Sequence, residues 1–215
     1  MKLNPGFAFR PLPSIKKRPR FSSIHPGSPL GPLRDLPGTW TGRGFNVIWR
    51  PHHDRRHHRF LALNLFDETL QFEEAKGQIA NRGLLQRDIY IFGVTYLQKA
   101  KDRHTNAGLH IETGIWATVP KTTNPAEPPT VVRIASIPHG AAMLAQGAPR
   151  HTKGPPKIPD ADITPFVIEH PKMQIPFPEA NLAVPSKLRS PTPDIRGVTQ
   201  AMVHNPNSLL VSALS

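Results

Sequence analysis

Read for the alternation of apolar and polar side chains, the middle of the chain breaks into short stretches of period two. Phe60–Phe66 places Leu61, Leu63 and Leu65 on one face. In Thr69–Glu74, Leu70 and Phe72 go one way, and Thr69, Gln71 and Glu73 the other. Asp88–Lys99 lines up Tyr90, Phe92, Val94 and Tyr96. Leu109–Val119 alternates Leu109, Ile111, Ile115, Ala117 and Val119 against His110, Glu112, Trp116 and Thr118. Thr130–Ile137 and Ala141–Gln146 flank Pro138-His139-Gly140, a turn signal between two strands. With the Gly- and aromatic-rich Thr39–Trp49, this predicts an all-β domain, an antiparallel barrel or sandwich of closely spaced strands.

Outside residues 36–147 the pattern fades. Residues 1–35 carry Pro, Gly, Ser and basic residues without apolar periodicity and predict a disordered basic arm. Eleven prolines between residues 149 and 193 exclude a central strand and predict a cover or linker, with Ile163–Glu169 as the one stretch able to pair. Residues 199–214 read as a C-terminal helix, with Asn207 or Ser208 as a cap and Leu209, Leu210, Ala213 and Leu214 as its apolar side. The domain thus runs from 36 to 215.

Composition sharpens this. The 26 prolines among 215 residues exclude a helical bundle. The lack of cysteine excludes disulfides, thiolate metal sites and a thiol nucleophile. No apolar run is long enough for a transmembrane helix, and no unbroken apolar stretch follows Met1 as in a secretory signal, which leads to the expectation of an intracellular protein. The formal charge of +12 is local: residues 1–59 hold 12 Lys/Arg and 2 acids. Lys16-Lys17-Arg18-Pro19-Arg20 and the run Arg50–Arg59 make weak polyanion contact through the basic front end an expectation. His52, His53, His57 and His58 have metal-ligand residue types, but Arg50, Arg55, Arg56 and Arg59 would repel a dication, so the cluster reads as a solvated hairpin loop.

His110, Glu112 and Trp116 share a strand face. If that face lines the interior, they are convergent polar groups in an apolar cavity, as in a ligand site. Period-two logic favours the opposite, with Leu109, Ile111 and Ile115 inside and His110 and Glu112 in solvent. His139, in the turn before Gly140, falls at a barrel rim, where ligands enter. No Gly-rich phosphate loop, Gly-x-Ser-x-Gly or His-Glu-x-x-His occurs.

Gly38-Thr39-Trp40, a Gly-x-Trp on the first strand, resembles the opening of the calycin group, the lipocalins and fatty-acid-binding proteins. Glu68–Phe72, Leu109–Trp116 and Val132–Gly147 with Pro138-His139-Gly140 are similar to successive strands of nitrobindin-like heme-binding barrels. Asn46–Pro51, Asn81–Gln86 and Asn205–Ser208 resemble proteins labelled heme-binding or fatty-acid-binding-like. The resemblance implies a calycin-like β-barrel with Trp40 as a buried end plug, and a small hydrophobic ligand, heme first, in the lumen. Trp40, Trp49, His110, Glu112, Trp116 and His139 would contact the ligand, and His139 or His204 would take the iron. Nitrobindin-like proteins use a His near the C-terminus, and the related group continues with further strands past the Asn-Pro-Asn-Ser helix. The present sequence ends at Ser215, so a barrel short of its closing strands is expected, with the arm or the proline-rich stretch over the gap. A non-enzymatic binder is the first reading. A lumen enzyme, an isomerase or cyclase using His110 and Glu112, is the second.

Overall fold

The structure, a computed structural model, describes residues 28–51, 59–175, 177–191, 194–208 and 211. Seven strands build one antiparallel sheet: β1 (Gly38–Pro51), β2 (Arg59–Glu74), β3 (Ile79–Asn81), β4 (Ile89–Asp102), β5 (Gly108–Val119), β6 (Thr130–Ile137) and β7 (Ala141–Gly147). Their order is β1-β2-β4-β5-β6-β7, with β3 paired to the first residues of β4. The sheet curls into an open half-barrel whose edges are β1 and β7. The all-β class is as the alternation predicts. Two stretches expected as separate strands form the single β2, because Asp67 and Glu68 stay in the ladder: Arg43 and Arg103 meet Asp67 at 3.6 and 3.7 Å, and Gln98 donates to Glu68 at 2.6 Å. A small hairpin, β8 (Phe166–Val167) and β9 (His170–Gln174), and a short helix α1 (Gln200–His204) follow the sheet among the described residues. No helix among the described residues is long and apolar enough to cross a membrane.

The sheet buries both of its faces, at different ends. On the concave face, Phe72, Val94, Tyr96 and Ala135 pack with Leu30 and Leu33, and Leu36, Leu70, Phe92, Trp116, Val131 and Met143 join them. Leu30 and Leu33 come from the stretch expected to belong to the disordered arm. Composition misjudged Ser28–Asp35: Pro32 sits in a 3-10 turn, Gly31–Leu33, that presents Leu33 to the sheet, and two leucines suffice to dock it. On the other face, Leu61 and Leu63 pack with Ile195 and Val203, and Val47, Trp49, Phe177, Ala180, Leu182 and Val198 surround them. The basic run Lys16–Arg20 and the histidines from His52 to His58 lie outside the described residues.

Between residues 177 and 205 the chain covers the half of β2 that β4 does not reach. Leu61 N–H donates to the Leu188 carbonyl at 2.8 Å, Ser190 N–H to the Leu61 carbonyl at 3.1 Å, and Leu63 N–H to Ser190 Oγ at 2.9 Å. An open strand edge is thereby satisfied without a further strand. The buried Arg189 guanidinium holds this cover together by donating to the carbonyls of Glu179, Asn181 and Val184 at 2.8, 2.8 and 3.2 Å. Asn205 and Asn207 reach residues 159–161: Asn205 Nδ2 to Asp160 at 2.6 Å, Ala161 N–H to Asn205 Oδ1 at 3.1 Å, and Asn207 Nδ2 to the Pro159 carbonyl at 2.8 Å. The expected helix over 199–214 is interrupted. Thr199 Oγ1 caps α1 by accepting from Met202 N–H at 3.3 Å, and α1 ends at His204, just before Asn205-Pro206. Helical backbone resumes at Asn207 and Ser208, and the expected apolar side, Leu209, Leu210, Ala213 and Leu214, lies outside the described residues.

Trp40 is not the end plug. It lies on a strand that is at the sheet edge among the described residues, is 44% exposed, and donates from Nε1 to the Leu36 carbonyl at 2.8 Å. Leu30 and Leu33, not Trp40, belong to the buried cluster of the concave face. Leu33→Ala should therefore lower stability by about 2–5 kcal/mol, as a buried leucine truncation does, and Trp40→Ala by less. Urea midpoints of the two variants give the comparison.

Candidate functional site

Registers across β4, β5 and β6 set the polar residues of the concave face side by side. Tyr96 pairs with Gly114 and Gln98 with Glu112. Gly114 pairs with Ala135 and Trp116 with Arg133. Side chains at paired positions share a face, so Tyr96, Glu112, Trp116 and Arg133 lie on the same inner surface as Val94 and Phe72. Gly114 is required here: a Cβ would come within 2.6 Å of Cε1 of the Tyr96 ring lying over it. The face choice for β5 is the reverse of the apolar alternation. Ile111 and Ile115 are 41% and 39% exposed on the convex side, and Glu112 is 3% exposed within. The half-barrel takes its apolar inner lining from β2, β4 and the 30–36 segment, which leaves the inner face of β5 free for polar groups.

Glu112 is the hub. Its Oε1 accepts from the Tyr96 hydroxyl and from Arg133 Nη2, and Arg133 Nε donates to the Tyr96 oxygen at 3.0 Å, closing a triangle. Its Oε2 lies 3.4 Å from His110 Nε2. The Arg133 guanidinium sits 5.4 Å from the ring centres of both Tyr96 and Trp116, within cation–π range. His139, in the β6–β7 turn, reaches back to stack on His110 with ring centres 5.5 Å apart and an angle of 29°.

Burial works to raise the Glu112 pKa, but the hydrogen bonds from Tyr96 and Arg133, the Arg133 charge and the His110 contact outweigh it and hold the carboxyl below its ordinary range. Burial and the Glu112 hydrogen bond push Tyr96 up, so it stays a neutral donor. Burial acts to lower Arg133, yet bonding to Tyr96 and Glu112 leaves it raised and charged. At neutral pH the centre is a carboxylate–guanidinium pair clamped by a phenol, with two imidazoles at its outer side.

His110, Glu112, Trp116 and His139 are thus brought together. Trp49 is not with them: it packs edge-on against Phe177 at 4.3 Å on the opposite face of the sheet. Trp40 is on the concave side but on the far edge strand. His204 ends α1, whose Val203 packs on Leu61 and Leu63, and its ring lies 3.0 Å from Gln200 Nε2. It is therefore separated by the sheet from His139 and cannot share a ligand with it. Sequence reasoning missed Tyr96 and Arg133. Arg133 carried a signal, a lone charge inside the apolar strand Thr130–Ile137. Tyr96 carried none, since it looked like one more apolar position in its strand. Among the described residues no three His, Cys, Asp or Glu side chains are placed to hold a metal ion by themselves. A groove lined by Thr41, Gly42, Arg43, Asp67, Glu68 and Thr69 lies at β1–β2, but Thr41, Arg43, Asp67 and Thr69 alternate to the face opposite the cluster, so it is separate from it.

Because the folded-state pKa of Glu112 is depressed, its contribution to stability is complete above the unfolded carboxyl value, near ~4.3, and is lost as pH falls through the folded value. Asp102 is depressed as well: burial opposes, while N–H donors from Thr105 and His104 and the Asn64 amide outweigh it. Glu112→Gln should therefore lower stability at pH 7 by about 2–4 kcal/mol, by leaving the Arg133 charge unpaired, and should flatten only part of the acid limb below pH ~4.3, since Asp102 and Asp162 are also held low. Urea midpoints followed from pH 7 downward for wild type and Glu112→Gln test both statements.

Compared with known proteins, the chain matches no family model, no curated protein and no solved structure.

Proposed function

We propose that the protein binds a small ligand with an apolar body and an acidic group at the rim of the concave face, and that heme is the first such ligand to test. The observation that carries this reading is the Glu112-backed His110 stacked on His139 beside Arg133. A carboxylate behind an imidazole fixes the orientation of the ring and its tautomer, the arrangement found behind metal-ligating histidines. With Nε2 committed to Glu112, Nδ1 of His110 is left for a ligand. His139 is exposed and has no hydrogen bond among the described residues. Arg133 and the indole of Trp116 supply a cation and an apolar wall.

The donors suit heme: His139 or His110 would hold the iron, Arg133 would meet a propionate, and bound heme would supply a redox-active iron centre. The apolar floor beyond Trp116 is filled by Leu30 and Leu33, so the ligand would rest at the rim rather than deep within the sheet. A resemblance to nitrobindin-like barrels adds to this proposal, with the iron ligand moved from the C-terminal region to the rim formed by the start of β5 and the β6–β7 turn. A second reading, acid–base catalysis on a small substrate, is favoured by the same carboxylate-held imidazole, which is the arrangement of an oriented general base.

Titration of the protein with hemin should give a Soret band distinct from that of hemin in buffer. His139→Ala or His110→Ala should displace it, and His204→Ala should leave it unchanged. No spectral change with wild type removes heme. Loss of the band in His204→Ala alone removes the rim as the site.

A further inference from the structure

The Asn81–Gln86 stretch plays no part in the concave-face cluster. It forms the tip between β3 and β4, and it carries the two most exposed neighbouring leucines among the described residues, Leu84 at 94% and Leu85 at 72%. Ile79 and Tyr90, on the two strands that lead into the tip, are 40% and 50% exposed. The tip is fixed in shape. Asp88 accepts from Arg82 Nη1 at 2.5 Å and from Gly83 N–H at 3.1 Å. Gln86 Oε1 accepts from Thr123 N–H, Thr123 Oγ1 and Asn124 N–H at 2.8, 3.2 and 3.2 Å, tying the tip to the β5–β6 loop. At Gly83 a Cβ would collide with the Gln86 and Arg87 carbonyls, so the turn demands glycine. A braced loop therefore holds two leucines out in water, where each forgoes its burial energy.

We propose that this tip docks on an anionic lipid surface, with Leu84 and Leu85 entering the acyl boundary, Tyr90 at the headgroup level, and Arg87 and Lys121 facing lipid phosphates. Charge selects this occupant. With Arg82 paired to Asp88, Arg87 at the tip and Lys121 in the β5–β6 loop that braces it are exposed cations set against the exposed Glu127. Shape selects it as well: the leucines sit on a protrusion, and a fluid bilayer accepts a protrusion without a matching cavity. Apolar side chains with an aromatic at the interface and flanking cations are the composition of surface-bound segments.

The test is co-sedimentation of the full chain with vesicles of phosphatidylcholine alone and of phosphatidylcholine with phosphatidylserine. Wild type should bind the anionic vesicles more tightly. Leu84→Ser and Leu85→Ser should each weaken binding about tenfold, with an unchanged urea midpoint because both side chains are already in water. A full-length variant with Lys16, Lys17, Arg18 and Arg20 changed to alanine separates the arm from the tip. If that variant loses all binding and the leucine variants lose none, simple attraction to the basic arm explains the result and the proposal is wrong. Absence of wild-type binding to anionic vesicles also overturns it.

Discussion

Strand β2 has to be buried on both faces, and the arrangement of the molecule follows from how that is done. Its ladder with β1 runs without a register change from Gly38–Phe72 to Pro51–Arg59, so side-chain parity is preserved along its length. Yet Leu61 and Leu63 are buried on one side, and Phe72 on the other. A continuous strand cannot turn its apolar residues inward at both ends unless something covers each face. The chain supplies one cover from its N-terminal side, Leu30 and Leu33, and another from its C-terminal side, Ile195 and Val203. Neither cover is a strand, and neither needs to be, because burial of apolar area is indifferent to the secondary structure that brings it.

The open edge of β2 is solved in a related way. Over its first residues it lacks β4 as a neighbour, and the loop at Leu188–Ser190 supplies donors and acceptors in place of a strand. The cost of burying the Arg189 guanidinium of that loop is offset in part by three backbone carbonyls rather than by a carboxylate, its Nε having no partner among the described residues. Glu179, also buried, pairs with Arg59 at 3.2 Å. The proline-rich stretch, which no helix or central strand tolerates, is suited to this work. Its prolines pre-set extended backbone and leave carbonyls free to accept.

The same economy of faces creates the candidate site. Once residues 30–36 fill the apolar end of the concave surface, the remaining inner positions on β5 and β6 can be polar only if they satisfy one another. Tyr96, Glu112 and Arg133 do so in a closed triangle, which removes the desolvation penalty any one of them would carry alone. The stacked histidines at the outer side are what such a triangle leaves accessible, with His110 held and His139 exposed.

Much of this was legible in the residues. Apart from β3, which carries no alternation of its own, and the joining of two stretches into β2, the strand positions from Thr39 to Gly147 follow from alternation and turn signals, because backbone pleating forces period two wherever one face is buried. The change in apolar parity between Leu61-Leu63-Leu65 and Leu70-Phe72 already recorded that β2 uses both faces. Three things needed the tertiary structure. Whether His110 and Glu112 face inward depends on which surface of the whole sheet is concave, and a single strand with apolar groups on one side and polar groups on the other gives a misleading answer. The roles of Tyr96 and Arg133 arise from cross-strand register, which no local pattern encodes. Docking of Leu30 and Leu33, and exposure of Trp40, turn on which segment reaches the concave face first and on β1 lying at an edge. Local sequence sets the period of a strand; its neighbours decide which side of it is inside.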